Sequence, residues 1–423
     1  MSVTQTTYFE PTLAAVKEAA SKLAGISVYT PLVKSLRLSK KYKADIYLKR
    51  EDLQTVRSYK IRGAYNKISS IAATDLKKGI VCASAGNHAQ GVAYSCQLLK
   101  VKGTIFMPAP TPNQKVEQVK MFGEDFVEVV LTGDTFDDAY KQAEIYCAEK
   151  QSLFIHPFND EKVIEGQATV GLEIFDQSSE KAPDYLFMPV GGGGLSAGVS
   201  SVFKILSPDT KIIGVEPAGA PAMKNSILQG ENIKLNHIEK FVDGAAVQQV
   251  GDLNYEICKR NLTDVALVEE GHVCEIILQM YNKEAIIVEP AGALSIGVLD
   301  QYAKDIIGKT VVCVVSGSNN DITRTEEIKE RALLYRGLKH YFIVNFPQRA
   351  GALKQFVAEV LGPNDDITHF EYTKRNSRET GSAVVGIELK HADDFKPLID
   401  RMSAMGFYGD YINKNADLLD ILV

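Results

Sequence analysis

No stretch of the 423-residue sequence stays apolar for the roughly 20 residues that a bilayer crossing requires. The opening, Met1 to Pro11, is polar and lacks the basic start and apolar centre of a secretory signal. Basic blocks are missing too. Lysine and arginine number 47 against 53 aspartates and glutamates, for a formal net charge of -6, so neither nucleic acid nor an anionic membrane surface is expected as a partner. None of the six cysteines (Cys82, Cys96, Cys147, Cys258, Cys274, Cys313) forms a C-x-x-C pair, which speaks against structural zinc. Some lie in apolar runs and read as small buried residues of a reducing compartment. Repeats and low-complexity tracts are absent. What remains is an ordinary globular composition, 45% hydrophobic and 24% charged, enough for two or three domains and for a cytoplasmic enzyme.

From about Asp45 to Ser316, short apolar segments alternate with helical patterns. The strand candidates are Asp45–Leu48, Ile80–Ser84, Thr104–Met107, Val127–Leu131, Leu153–His156, Tyr185–Val190, Lys211–Val215 and Val311–Ser316. Several are nearly continuous apolar runs, as in parallel sheets covered on both faces. Helices are expected at Ala89–Leu99, Asn113–Phe122, Phe136–Lys150 and Leu195–Leu206. This alternation predicts a doubly wound α/β body with ligands beyond the carboxyl ends of the strands. The pattern changes after Ser316. Residues 326–338 read as a charged helical connector, dividing a catalytic body, 1–325, from a module at 339–423. That module runs strand Tyr341–Phe346, helix Gly351–Leu361, strand Ile367–Tyr372, strand Ser382–Leu389, helix Asp394–Met405 and a last strand near Tyr408–Ile412. A β-α-β-β-α-β order is ferredoxin-like.

Three segments and a strand end carry the chemistry. Lys60, in Ser58-Tyr59-Lys60-Ile61-Arg62-Gly63-Ala64, stands where an extended stretch meets a helix. Partial burial would lower its ammonium pKa enough to let it condense with an aldehyde, although alone it reads equally as a solvated surface lysine. Ser84-Ala85-Gly86-Asn87-His88-Ala89-Gln90-Gly91 follows a strand. Gly86 permits unusual backbone angles, and Asn87 is either an amide donor to a ring oxygen or a plain helix cap. Gly191-Gly192-Gly193-Gly194-Leu195 joins a strand to a helix, so bare backbone N–H groups can face an anion at a helix N-terminus. The bend lacks the G-K-[ST] ending of a P-loop, and no acidic residue closes the next strand about 20 positions on as a dinucleotide site requires. A tight turn is the bland alternative. Ser316, in Ser316-Gly317-Ser318-Asn319-Asn320-Asp321, ends the last strand either as a ligand contact or as a turn serine.

Taken together, these segments resemble the fold-type II (tryptophan synthase β-like) pyridoxal-phosphate enzymes, and most closely the biosynthetic threonine deaminases. The resemblance implies a catalytic body of two doubly wound subdomains. It makes Lys60 the Schiff-base lysine and catalytic base, Asn87 the ligand of the cofactor's phenolic oxygen, Gly191, Gly192, Gly193, Gly194 and Leu195 the phosphate loop, and Ser316 the contact to the pyridine nitrogen. Ser84, Ala85, Gly86 and His88 would surround the substrate carboxylate. Serine racemases resemble the chain in the same motifs and use a serine at the place of Ser84 as a second acid/base. Related enzymes hold a divalent ion through an acidic residue shortly after a G-V-E-P segment. Here Gly214-Val215-Glu216-Pro217 is followed by Ala222 at that place, so no metal is expected.

Asn345-Phe346-Pro347-Gln348-Arg349-Ala350-Gly351-Ala352-Leu353 resembles the opening of the family's ACT-like regulatory domain, in a single copy. That module, which racemases lack, favours L-threonine as substrate, with dehydration and deamination to 2-oxobutanoate and ammonia as the first step of isoleucine biosynthesis. It also implies isoleucine as inhibitor, valine as its antagonist, and a homo-oligomer, a tetramer. The competing readings are L-serine dehydration or racemisation, and a catalytically dead amino-acid sensor.

Overall fold

The computed structural model describes residues 9–178, 181–372, 380–415 and 418, and the chain divides into two compact units, Met1–Asp321 and Ile322–Val423. The strands of the first unit are β1 (Leu32–Lys34), β2 (Asp45–Arg50), β3 (Ile80–Ala83), β4 (Gly103–Met107), β5 (Val127–Leu131), β6 (Leu153–Phe154), β7 (Tyr185–Pro189), β8 (Lys211–Pro217), β9 (Asp264–Val268) and β10 (Thr310–Val315). They form two sheets. The larger has the order β1-β2-β10-β7-β8-β9 and is parallel except for the edge pair β1–β2. The smaller, β5-β4-β3-β6, is wholly parallel and is inserted in the chain between β2 and β7.

The apolar runs explain this burial. All residues of β3 and β7 are buried, because helices cover both faces. Two strands were not anticipated. β1 is only three residues long with two of them exposed, and β9 is a five-residue run that periodicity cannot tell from a helical fragment.

Close helix packing fixes the first turn of helix Lys60–Ser69. A Cβ at Gly63 would meet the Gln167 side chain at 2.3 Å, and one at Gly166 would meet the Arg62 carbonyl at 2.5 Å. Helices Lys60–Ser69 and Glu161–Gln177 therefore touch backbone to backbone. Beneath this contact lies a buried ion cluster. Arg62 donates to Glu51 at 2.7 and 2.8 Å and to Glu173 at 2.6 and 2.9 Å, and Lys49 donates to Glu173 at 2.5 Å. Two cations face two anions, and the Glu51 carboxyl is held below the usual range: its burial, which works the other way, is outweighed by the Arg62 guanidinium.

The second unit begins with helix Thr325–Tyr335, followed by β11 (Lys339–Pro347), β12 (Asp366–Tyr372), β13 (Thr380–Glu388) and β14 (Tyr408–Tyr411). Its antiparallel sheet has the order β12-β13-β11-β14, with helix Phe395–Ala404 between β13 and β14. Ala383, Val385 and Ile387 alternate into the core with Phe342, Val344 and Leu398, as the period-2 pattern requires. One helix differs from expectation. The segment expected at Gly351–Leu361 is a short α-turn, Ala352–Gln355, that widens into a π-turn over Phe356–Val360.

Replacing Arg62 with Met is expected to lower unfolding stability by about 3–5 kcal/mol in a denaturant titration, because two buried carboxylates lose their main partner. A change below about 1 kcal/mol would show that the cluster does not secure this helix.

Candidate active site

At the carboxyl ends of the strands lies a cavity of about 790 Å³. Its lining includes Lys60, Ser84, Ala85, Gly86, Asn87, His88, Gly191, Gly192 and Ser316, brought from segments up to 256 positions apart. The stretch before Lys60 is stitched to the end of β10. Ser58 and Gly317 form an isolated antiparallel bridge, Tyr59 N–H donates to the Ser316 carbonyl at 3.1 Å, and Ser318 N–H donates to the Arg57 carbonyl at 2.9 Å. Helix Lys60–Ser69 then starts at the lysine itself, whose Nζ donates to the Pro157 carbonyl at 3.0 Å. Burial depresses this ammonium to about 8, against a smaller opposing pull from Glu289. It is not a solvated surface lysine.

The loop after β3 settles the second ambiguity. Gly86 occupies the cap position and Asn87 is the first residue of helix Asn87–Leu99, so the asparagine side chain does not cap the helix. Its carboxamide instead donates to Glu289 Oε1 at 2.7 Å and accepts from Asn319 Nδ2 at 2.7 Å. Ser84 Oγ accepts the Gly86 N–H at 3.3 Å. His88 Nε2 lies 2.9 Å from the Ile155 carbonyl, and burial holds the imidazole neutral, at about 3.

The glycine bend divides into two parts. Gly191 and Gly192 line the cavity, whereas Gly193, Gly194 and Leu195 stand behind that lining, and the Leu195 side chain packs into the core with Val170, Leu186 and Met188. Leu195 can therefore offer an anion only its backbone. Gly193 is left-handed (φ +88°), and a Cβ at Gly192 would lie 2.2 Å from the Phe158 ring. Among the described residues, none of the amides of Gly191 to Leu195 donates to a carbonyl outside the helix that begins at Gly194. Free amides in a bend that admits no side chain suit a phosphate. With a sheltered amine on the same cavity wall, this donor set fits pyridoxal phosphate.

Glu216, at the end of β8, is buried, and its two oxygens accept the N–H groups of Met223 at 2.7 Å and Lys224 at 2.9 Å. The acidic residue that closes the strand after the glycine bend is thus taken up by first-turn N–H groups of helix Ala222–Gln229.

Sequence reasoning passed over one carboxylate of the cavity wall. Glu289 is buried with the Asn87 amide on it, and burial pushes its carboxyl up to about 7. A signal was present: Glu289-Pro290 opens helix Pro290–Gly297 and is a lone charge in an apolar segment. Asn319 and the His156-Pro157-Phe158 wall were likewise unassigned.

The catalytic unit matches the family described as pyridoxal-phosphate dependent enzyme over residues 25–317, and residues 330–422 match the C-terminal regulatory domain of threonine dehydratase. A biosynthetic L-threonine dehydratase of Halalkalibacterium halodurans is 56% identical over 405 residues, covering 96% of this chain and 97% of that one. This chain belongs to the biosynthetic L-threonine dehydratase family. Threonine dehydratases of this family depend on pyridoxal phosphate. The structure of a processed threonine deaminase isoform 2 from Solanum lycopersicum superposes with a TM-score of 0.71 at 37% identity, covering 77% of this chain and 96% of that one. Maize serine racemase superposes equally well, TM-score 0.71, at 27% identity over 77% of this chain and 99% of its own, so the backbone shared by dehydratase and racemase does not choose the reaction.

The raised Glu289 carboxyl gives a pH signature. Its folded value, about 7, exceeds the ordinary 4.5, so it stabilises the cofactor-free protein fully below pH 4.5 and loses that contribution as pH rises through 7. Glu289→Gln is expected to flatten this part of the stability profile, measured by thermal melts from pH 5 to 8. An unchanged slope would mean that the carboxyl titrates normally.

Proposed function

We propose that this dehydratase eliminates water from L-threonine and that hydrolysis of the released enamine takes a water back up and frees ammonia, giving 2-oxobutanoate, the first step of isoleucine biosynthesis. The observation that carries the reading is the sheltered Lys60 amine, lowered to about 8, in a cavity whose wall also holds the amide-lined glycine bend. Bound pyridoxal phosphate supplies the electron sink that makes the substrate Cα proton removable. Lys60 Nζ would hold the cofactor's aldehyde end, and the amides of Gly191, Gly192, Gly193, Gly194 and Leu195 would hold its phosphate. Asn87 would offer its second N–H to the ring oxygen, and the Ser316 hydroxyl would face the pyridine nitrogen. A neutral hydroxyl there, in place of a carboxylate, would favour elimination over transamination.

The Ser84 hydroxyl and the backbone around Ala85, Gly86 and His88 hold the substrate carboxylate. Lys60 Nζ would also serve as the base that takes the substrate Cα proton. An amine near 8 is partly neutral at physiological pH and so is available as a base. His88, held neutral and tied to Ile155, orients the loop without transferring protons.

The second unit is read as the sensor, with isoleucine as inhibitor and valine as its antagonist, in a cytoplasmic homotetramer. The match to a threonine dehydratase regulatory domain supports this. Regulation requires that effector binding shift the catalytic unit between two states. Among the described residues, no helix is long and apolar enough to cross a membrane.

Purified protein is expected to release 2-oxo acid from L-threonine faster than from L-serine, to slow on addition of isoleucine, and to lose activity at least a thousandfold in Lys60→Ala, roughly 4 kcal/mol of transition-state stabilisation. Equal rates on both substrates, or D-serine as the main product from L-serine, would overturn the assignment in favour of the racemase-like reading.

A further inference from the structure

Asn87 is useful to a ring oxygen only if its nitrogen faces the ligand. An asparagine side chain is nearly symmetric, and rotation by half a turn exchanges donor for acceptor. The cavity contains a chain of hydrogen bonds that removes this freedom, and its anchor is a group that can only accept. At one end, the Val56 backbone carbonyl accepts from Asn319 Nδ2 at 2.9 Å. Asn319 gives its other N–H to Asn87 Oδ1 at 2.7 Å. Asn87 Nδ2 in turn donates to Glu289 Oε1 at 2.7 Å. A carbonyl cannot donate, so Asn319 must present nitrogen to Val56, and both its N–H groups are then spoken for. Asn87 must therefore present oxygen to Asn319 and nitrogen to Glu289. Rotating Asn319 would set its oxygen against the Val56 carbonyl, and rotating Asn87 would set its nitrogen against that of Asn319.

The arrangement has a cost. Asn319 Oδ1 is buried without a hydrogen-bond partner, an outcome that proteins ordinarily avoid. Glu289 is itself buried and stands 202 positions from Asn87 in sequence. It also accepts the Asn319 backbone N–H, so the same two residues grip Asn87 from both sides. One Asn87 N–H is left with no protein acceptor among the described residues, and Asn87 lines the cavity.

We infer that Asn319 and Glu289 are positioning residues that lock the Asn87 carboxamide in one orientation, so that its remaining N–H is committed to the cofactor ring. The inference rests on the reading that Asn87 contacts bound pyridoxal phosphate. Both residues act through Asn87, which makes their contributions non-additive with it.

The test is a double-mutant cycle on the full-length holoprotein. Asn87→Ala, Asn319→Ala, Glu289→Ala and the doubles Asn87→Ala/Asn319→Ala and Asn87→Ala/Glu289→Ala are compared by the visible absorption of the bound cofactor and by titrating resolved protein with pyridoxal phosphate. Far-UV circular dichroism checks folding, and Asn319→Ser, too short to bridge Val56 and Asn87, replaces Asn319→Ala if that variant does not fold. Asn319→Ala and Glu289→Ala are each expected to move the absorption band in the direction that Asn87→Ala moves it. Each should weaken cofactor binding about three- to tenfold, the effect of one hydrogen bond. Both effects should largely vanish in the Asn87→Ala background. Full additivity in that background would overturn the inference, as would wild-type behaviour of Asn319→Ala and Glu289→Ala beside an altered Asn87→Ala. If Asn87→Ala itself binds and absorbs as wild type, the underlying reading of Asn87 fails, and the inference falls with it.

Discussion

A primary amine drawn into a cavity wall and half-buried there governs the rest of this structure. Lysine strongly prefers to be solvated and charged, and sheltering it costs free energy that the fold must supply elsewhere. Here that support is visible. Arg62, two residues on, is tied to Glu51 and Glu173 beneath the helix, and Gly63 and Gly166 let the two helix backbones touch. The stitch between Ser58 and Gly317 sets the lysine beside the end of β10.

The same economy of parts recurs around the cavity. Phe158 packs so closely under Gly192 that a methyl group there would overlap its ring, while the preceding residue, Pro157, offers Lys60 its carbonyl. One short wall after β6 thus shapes both the anion cradle and the resting position of the amine. Insertion of the smaller sheet between β2 and β7 brings the Ser84–His88 loop against the larger sheet's strand ends, which makes a cavity between sheets rather than a groove on one.

Much of this was legible in the sequence. Apolar runs such as Val311–Val315 announce buried parallel strands, and four glycines announce a tight bend between strand and helix. The ferredoxin-like order of the second unit follows from its succession of strand and helix segments, and the alternation of Ala383, Val385 and Ile387 marks a sheet with one face on the core. Other features depend on tertiary contact and leave little local trace. Asn87 has the look of a cap residue, and only the fold shows Gly86 in that role and the amide turned to Glu289. Leu195 belongs to the motif, yet its side chain serves the core. Arg62 shows no local sign of its burial, because its partners Glu51 and Glu173 lie 11 and 111 positions away in sequence.

The central claim is that the nitrogen of Lys60 carries the cofactor. Borohydride reduction of the holoprotein followed by peptide mass mapping tests it directly, because reduction makes the attachment permanent. A pyridoxyl mass increment on the peptide containing Lys60, and on no other, is the result the account predicts. An increment on a different lysine, or a holoprotein that yields no modified peptide, would contradict it.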